Sequence, residues 1–165
     1  MKKNLIIING TMGVGKTTVC EKLQTKLQNS FWLDGDWCWM MNPWKFTDEN
    51  KDMVIQNITY ILNNFLNNSS SQYVILSWVL HEQSIFDALF KNLKNLDFDM
   101  VTITLYCTPE ELRKRLSKDN RDKEVIERSI ERISLYGELD SEKIDTTFLS
   151  VDQTVDKILN LVNPL

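Results

Sequence analysis

The chain has 165 residues, 42% of them hydrophobic and 25% charged, a balance typical of a soluble globular domain with one sizeable core. Domains commonly hold about 100–200 residues, so we expect a single domain over residues 1–165. The net charge of −4 argues against nucleic acid as a partner, because such partners bind a basic face. No run approaches the roughly 20 apolar residues of a membrane span, which argues against a membrane partner.

Apolar runs bounded by turn residues predict five strands, at Leu5–Ile8, Phe31–Leu33, Tyr73–Ser77, Val101–Cys107 and Phe148–Val151. Six stretches with helical spacing lie between or after them, and they include Val19–Leu27, Val54–Phe65, Ile85–Leu93 and about 122–135. Thr108 and Pro109 are a typical N-cap and first residue for the fourth helix. Strands that alternate with helices predict an α/β fold in three layers, with helices on both faces of a parallel sheet.

The segment GTMGVGKTT follows the first predicted strand and contains a P-loop pattern at Gly10, Gly15, Lys16 and Thr17. Glycines let backbone N–H groups turn toward phosphate oxygens, and the dipole of the following helix favours the same anion. Lys16 can reach the terminal phosphates, and the Thr17 hydroxyl can bind Mg²⁺. The pattern therefore predicts a nucleoside triphosphate site whose loop also contains Met12, Gly13, Val14 and Thr18.

Two aspartates, Asp34 and Asp36, follow the second predicted strand, at the edge of the sheet where ligands bind in such folds. One interpretation is an Asp-Gly-Asp turn without chemistry, since both residue types favour turns. The other is catalytic, because a kinase needs one carboxylate at its magnesium ion and another to accept a hydroxyl proton.

These motifs resemble those of the small P-loop kinases, a group that includes shikimate, gluconate and nucleoside monophosphate kinases, chloramphenicol phosphotransferase and tunicamycin-resistance proteins. Gly10–Thr17 and the Asp34–Asp36 pair carry the resemblance. The segments VTITLYCTPEELRKRL and IDTTFLSVDQTVDKIL are similar to the fourth strand with its helix and to the last strand with its helix. The resemblance implies the sheet of the nucleoside kinase type with a short lid, here about 117–127.

By that resemblance, Asp34 would help to hold Mg²⁺ and Asp36 would orient or deprotonate the acceptor hydroxyl. Arg121 would be the lid arginine over the transferred phosphate, and Arg115 would lie near the adenine or the phosphates. Base recognition would rest on backbone groups near Asp152–Thr154.

Arg128 and Arg132 lie four residues apart and would share a helix face. That face would meet the phosphates or an anionic acceptor, or else be a solvated face paired with nearby glutamates. Adenylate kinases have a second arginine four residues after the equivalent of Arg115, where this chain has Asp119, and this difference argues against a nucleoside monophosphate kinase.

Four of the five tryptophans lie in WLDGDWCWMMNPW, residues 32–44. Trp32 is expected in the core, whereas Trp37, Trp39 and Trp44 fall in the acceptor-binding segment of these kinases, here about 36–66. We expect these rings, with Trp78, to line a substrate pocket beside Asp36, although packing in the core is the alternative. The segment contains few arginines, which favours a neutral, partly aromatic or apolar acceptor over a strongly anionic sugar acid.

The sequence therefore predicts an ATP- and Mg²⁺-dependent kinase of a small hydroxyl compound, with Lys16, Asp36 and Arg121 as its catalytic residues. The alternative is a nucleotide-dependent switch or ATP-binding protein, but the N-K-x-D base-reading motif of such switches is missing from the sequence. Three widely spaced cysteines and a short N-terminal apolar run favour a cytoplasmic protein. We expect a monomer or a homodimer.

Overall fold

The computed structural model describes residues 2–91, 93 and 97–162, so residues 1, 92, 94–96 and 163–165 of the predicted domain lie outside the described part. The strands are β1 (Lys3–Asn9), β2 (Ser30–Asp34), β3 (Tyr73–Trp78), β4 (Phe98–Tyr106) and β5 (Glu142–Asp145). The helices are α1 (Lys16–Lys26), α2 (Asp48–Asn67), α3 (Gln83–Phe90), α4 (Pro109–Lys118), α5 (Lys123–Glu131) and α6 (Val151–Val162). Among these helices, none is long and apolar enough to cross a membrane.

All five strands are parallel and lie in the order β2-β3-β1-β4-β5, with a helical layer on each face. The central strand β1 shows how the layers form, because its side chains alternate between two cores. Leu5 and Ile7 pack with α2 and α3, whereas Ile6 and Ile8 pack with α1, α4, α5 and α6. The prediction of a three-layer α/β fold with a five-stranded parallel sheet is confirmed.

The strand order places the P-loop at the point where the chain changes direction across the sheet. After β1 the chain forms β2 and β3 on one side, and then β4 and β5 on the other. In open parallel sheets, ligands bind in the crevice beyond the carboxyl ends of the strands at such a point. The fold therefore provides a crevice beside the loop that follows β1.

The Asn9 side chain, which is fully buried, joins the start of the P-loop to the segment after β3. Its Oδ1 accepts hydrogen bonds from the N–H groups of Gly10 and Leu80, each at 2.8 Å. Its Nδ2 donates to the Leu80 carbonyl at 2.7 Å. These three bonds fix the position from which the P-loop leaves the sheet.

The start of α4 confirms the predicted cap. Thr108 has an extended backbone, and its hydroxyl accepts the N–H of Glu111 at 3.3 Å. Pro109, which lacks an N–H group to satisfy, is the first helical residue.

The prediction of a strand over Phe148–Val151 is wrong, because β5 lies earlier, at Glu142–Asp145. In the described part of the sheet it is an edge strand that pairs with Ile103–Tyr106 of β4 alone, and Ile144 is its one buried residue. A short edge strand needs little apolar surface, so its sequence reads as polar.

The apolar residues after β5 have other roles. Phe148 is 94% exposed in the loop, and Val151 is the first residue of α6. Ser150 and Gln153 explain that start, since the Ser150 Oγ accepts the N–H of Gln153 and the Gln153 Oε1 accepts the N–H of Ser150. Such a reciprocal capping box begins a helix and not a strand.

We predict that Asn9→Ala lowers the free energy of unfolding by about 2–4 kcal/mol, because it removes three buried hydrogen bonds and leaves backbone groups unpaired. Asn63→Ala is the matched control, since the Asn63 amide makes one hydrogen bond to the described residues, to the Thr59 carbonyl, and it should cost under about 1 kcal/mol. Urea unfolding measures both values. Equal losses in the two variants would contradict the role given to Asn9.

Candidate functional site

The P-loop, residues 10–17, leaves open space at the N-terminus of α1. Gly15 caps that helix in the left-handed region with φ 104°, a conformation that glycine adopts readily. A Cβ built on Gly15 would meet no atom within 4 Å. Gly13 has φ 83°, and a Cβ there would lie 2.4 Å from the Leu116 Cδ2 of α4. The glycines thus allow close packing on one side and leave the helix N-terminus free for an anion.

The Lys16 ammonium lies across the P-loop. Its Nζ donates to the carbonyls of Gly10 at 2.9 Å and Thr11 at 3.0 Å. Burial lowers the pKa of Lys16 to about 8, while the carboxylates of Asp36 and Asp34 oppose that change. A cation held inside the loop by carbonyl groups can exchange them for phosphate oxygens.

Asp34 is the last residue of β2, and its buried carboxylate contacts both the P-loop helix and the second aspartate. Its Oδ2 accepts the Thr17 hydroxyl at 3.1 Å. Its Oδ1 accepts the backbone N–H of Asp36 at 3.0 Å and caps the 3-10 turn Gly35–Trp39. One carboxylate therefore holds the two candidate ligand-binding segments together.

The oxygen atoms of Thr17 and Asp34 fit a magnesium site. Mg²⁺ usually binds one or two protein oxygens while phosphates and water complete its shell. In the described part of the chain, no group of three or more His, Cys, Asp or Glu side chains could hold a metal on its own. Ser77, at the position on β3 that neighbours Asp34, is fully buried and accepts the Trp32 indole N–H at 3.0 Å.

Asp36 is an exposed residue of the 3-10 turn, yet its carboxyl group is partly desolvated by its neighbours. Desolvation raises the pKa of Asp36, and the nearby charge of Asp34 raises it further. Lys16 and the Trp78 indole act in the opposite direction. A carboxylate with a raised pKa is the better proton acceptor, so this position suits a general base.

A cleft of about 630 Å³ lies between the segment after Asp36 and α2. Its lining is mostly apolar and sulfur-rich, and is formed by Trp37, Cys38, Met40, Met41, Met53, Asn57, Tyr60 and Ile61. The predicted acceptor segment, about 36–66, contains all of these residues. A cleft of this size and composition can hold a drug-sized, largely uncharged molecule.

Of the four tryptophans predicted to line a pocket, Trp37 lines this cleft and the other three lie elsewhere. Trp37 is 53% exposed and lines the cleft. Trp39 packs partly against the core and stacks on Phe46, with ring centroids 5.6 Å apart. Trp44 is 61% exposed and contacts both of these rings, with centroids 5.9 Å from Trp39 and 5.7 Å from Phe46, whereas Trp78 is buried at the end of β3. The position of Trp39 agrees with the core alternative.

The predicted acceptor segment includes most of α2, but no side chain of that helix was predicted as part of the cleft. Met53, Asn57 and Tyr60 are exposed at spacings of four and three residues, so they share one helix face. That face lies beside the buried stripe of Val54 and Ile58. The sequence signal for this face was the helical spacing of Met53 and Tyr60 next to the apolar stripe of Val54 and Ile58.

Arg115 is bound within the protein and fastens the P-loop to the loop after β5. Its guanidinium donates to the carbonyl of Val14 at 3.1 Å and to the carbonyl of Thr146 at 2.8 Å. It also donates to the Glu111 carboxylate at 2.9 Å. Arg115 therefore positions the two loops that would flank a nucleotide.

The other predicted arginines lie on or after the α4–α5 connection. Arg121 is exposed there, and within the described residues its one hydrogen bond runs from its backbone N–H to the Leu116 carbonyl. Arg128 pairs with Glu124 at 2.6 Å, as the solvated-face alternative expects. Arg132 is exposed but begins the 3-10 turn Arg132–Tyr136, since α5 ends at Glu131. Arg128 and Arg132 therefore do not lie in one continuous α-helix.

The remaining predicted nucleotide contacts are exposed around α1 and α6. Met12 and Thr18 are exposed in and after the P-loop. Asp152, in the first turn of α6, pairs with Lys22 of α1 at 3.0 Å. This ion pair joins the first and last helices beside the loop that carries Phe148.

Solved structures with the same fold include a tunicamycin resistance protein and two small-molecule kinases. The tunicamycin resistance protein of Deinococcus radiodurans has a TM-score of 0.74 and 19% identity, over 98% of this chain and 96% of that one. Shikimate kinase from Acinetobacter baumannii, in complex with shikimate, has a TM-score of 0.67 and 22% identity, over 98% and 93%. The APS kinase of Mycobacterium tuberculosis, in complex with AMPPNP and APS, has a TM-score of 0.71 and 14% identity, over 97% of each chain. At these identities the likeness shows the fold.

No curated protein sequence matches the chain significantly. A family model described as an AAA domain matches residues 6–135, which include the P-loop, both aspartates, the cleft and the α4–α5 connection. The chain belongs to this AAA domain family of P-loop proteins.

Proposed function

We propose that the protein is a cytoplasmic kinase that transfers the γ-phosphoryl group of ATP, with Mg²⁺, to a hydroxyl of a small, neutral and partly aromatic or apolar molecule. The observation that carries the proposal is the connection through Asp34, whose carboxylate joins the P-loop Thr17 to the Asp36 backbone. The P-loop and the candidate base are thereby adjacent.

The donor side of the reaction uses residues at the P-loop. When bound, ATP supplies the phosphoryl group and Mg²⁺ neutralises charge on its oxygens. Lys16 would donate to the terminal phosphate oxygens in place of the carbonyls it now contacts. Thr17 and Asp34 would hold the metal. Arg121, exposed on the proposed lid of residues 117–127, would cover the phosphates and exclude water.

The acceptor side of the reaction uses Asp36 and the cleft. Asp36 accepts the proton of the acceptor hydroxyl as that oxygen forms its bond to phosphorus and the bond to the leaving diphosphate breaks. The cleft begins at Trp37, the residue after Asp36, so the acceptor's body would lie along α2. Its lining residues carry no charged side chain, which supports a neutral acceptor.

We predict that Asp36→Asn keeps the ATP dissociation constant within about twofold but lowers phosphoryl transfer by about 10²–10⁴-fold, the usual contribution of a general base. Asp156→Asn, the same change at an exposed position on α6, should leave both values as in the wild type. Calorimetry measures ATP binding, and release of ADP in the presence of acceptor measures transfer. Normal turnover in Asp36→Asn would rule out its role as the base.

We predict that ATP binding takes up a proton near Lys16 and weakens as the pH rises through about 8. Without nucleotide, the pKa of Lys16 is about 8 because of burial, and phosphate would stabilise the ammonium and raise that pKa. Above pH 8 the free protein must therefore gain a proton to bind. Calorimetry in buffers of different ionisation enthalpy measures this uptake.

Two variants complete this test. Lys16→Ala should weaken ATP binding by about 10–100-fold, the contribution of hydrogen bonds to a charged group. Lys26→Ala, at the exposed end of α1, should retain both the affinity and the proton uptake. An affinity for ATP that stays constant between about pH 7 and 9, without proton uptake, would contradict the account of Lys16.

We predict that neutral aromatic or apolar hydroxyl compounds, such as nucleosides and phenylpropanoid antibiotics, are phosphorylated in preference to shikimate-like acids. The cleft offers apolar and sulfur-containing contacts to the former and no cation to the latter. A screen that measures ADP release for each compound tests this preference. Equal phosphorylation rates for the neutral compounds and the acids would contradict the proposal of a neutral acceptor.

A pair of charge-introducing variants locates the acceptor. Met53→Glu places a charge in the cleft and should raise the acceptor KM by about tenfold or more, since the apolar ligand cannot solvate it. Gln56→Glu, at an exposed position of α2 outside the cleft lining, should leave the KM unchanged. Similar KM values in the two variants would place the acceptor elsewhere.

A further inference from the structure

Thr11 is a P-loop residue whose side chain contacts α5. The side chain is buried, and its hydroxyl donates to the backbone carbonyl of Ser129 at 2.8 Å. Ser129 is also buried and lies in the last turn of α5, where helix carbonyls commonly need partners outside the helix. The bond joins residues 118 positions apart, so it links the P-loop directly to the helix that begins within the proposed lid.

The backbone of Thr11 contacts the residue that would bind phosphate. Its carbonyl accepts the Lys16 ammonium at 3.0 Å and the N–H of Val14 at 3.4 Å. In the proposed reaction, Lys16 donates to phosphate oxygens in place of this carbonyl. Thr11 thus has one polar group bound to Lys16 and another bound to α5, and the first of these contacts would differ between the free and the nucleotide-bound protein.

The helix on the other side of the proposed lid, α4, is attached to the P-loop as well. Arg115 donates to the Val14 carbonyl at 3.1 Å. Leu116 packs on Gly13, where a built Cβ would lie 2.4 Å from the Leu116 Cδ2. Both contacts fall in the last turn of α4, so α4 and α5 each contact the P-loop through their last turns.

The two helices also contact each other. Arg113 donates to the Glu127 carboxylate through both of its terminal nitrogens, and Leu116 and Ile126 belong to one core. The connection between the helices is short, and the Arg121 N–H closes it by donating to the Leu116 carbonyl at 3.1 Å. A shift of α5 is therefore carried to Arg121, because closely packed elements transmit strain to one another.

We propose that Thr11 is a positioning residue that couples phosphate binding in the P-loop to the position of α5 and Arg121. This inference rests on the proposed function. When Lys16 leaves the Thr11 carbonyl for phosphate, the Thr11 peptide group loses a contact and can rotate, and its hydroxyl carries the change to the Ser129 carbonyl. Coupling of this kind needs a chain of physical contacts that has two arrangements, and Lys16, Thr11 and Ser129 provide one.

Thr104 offers a matched control. Its hydroxyl is also buried and shares one hydrogen bond with a distant partner, the Ser141 hydroxyl at 2.8 Å. Thr11→Val and Thr104→Val make the same change and each removes a buried tertiary hydrogen bond, but only Thr11 joins the P-loop to α5. Thr11→Ser keeps the hydroxyl and is the conservative variant.

We predict that ADP slows amide hydrogen exchange in α5, residues 123–131, and that Thr11→Val loses about 2–10-fold of this protection, the contribution of one neutral hydrogen bond. Thr11→Ser and Thr104→Val should keep the protection. Mass spectrometry of each protein with and without ADP measures it. The same protection of α5 in Thr11→Val as in the wild type overturns the proposal. So does a wild-type protein that binds ADP without any change in α5, a result that does not depend on how a variant folds.

We predict that Thr11→Val also lowers kcat by about 2–10-fold, with the acceptor KM within about twofold of the wild type, because the acceptor lies along α2 and not α5. The share of ATP that is hydrolysed without transfer should rise, since a misplaced lid excludes water less well. Thr11→Ser should restore both values, and Thr104→Val should not change them. ADP release compared with phosphorylated acceptor measures that share.

An unchanged share of hydrolysis in Thr11→Val would contradict the role of Thr11 in placing the lid. Failure of the wild type to phosphorylate any acceptor is a different result. It overturns the proposed function, and the exchange measurement with ADP then decides the coupling between the P-loop and α5 alone.

Discussion

The two hydrogen bonds of the Asp34 carboxylate are the constraint on which the site depends. One oxygen accepts the Thr17 hydroxyl and the other accepts the Asp36 N–H, so the P-loop helix and the acidic turn keep one relative position. The same carboxylate also sets the local charge, since it raises the pKa of Asp36 and opposes the lowering of the Lys16 pKa. Pairs of groups whose environments shift their pKa values in this way are typical of active sites.

Most of the fold was predictable because its signals are local. The central strand is buried on both faces and reads as an apolar run, and the P-loop glycines at positive φ follow it directly. Thr108 and Pro109 mark the start of α4 by side-chain chemistry that needs no tertiary contact. The positions of Asp34 and Asp36 at the end of β2 follow from the same alternation of strands and turns.

The parts that sequence reasoning missed depend on distant contacts. β5 was misplaced because an edge strand with one buried residue, Ile144, carries almost no apolar pattern. The segment that forms the cleft was predicted but the lining side chains of α2 were not, since they depend on how that helix packs beside Met40 and Met41. The sequence positions of Trp39 and Trp78 suggested pocket residues. In the structure Trp39 packs on Phe46 and Trp78 packs on Gly35, and these contacts determine how far each ring is buried. The spacing of apolar residues along the sequence gives no information about such tertiary contacts.

The most direct test of the account is a crystal structure of the protein with ADP, Mg²⁺ and a neutral acceptor from the screen. The account predicts the β-phosphate at the N-terminus of α1, the metal beside Thr17 and Asp34, and the acceptor hydroxyl within hydrogen-bond distance of Asp36, with the acceptor's body in the cleft along α2. A nucleotide bound outside the P-loop, or an acceptor hydroxyl directed away from Asp36, would contradict it.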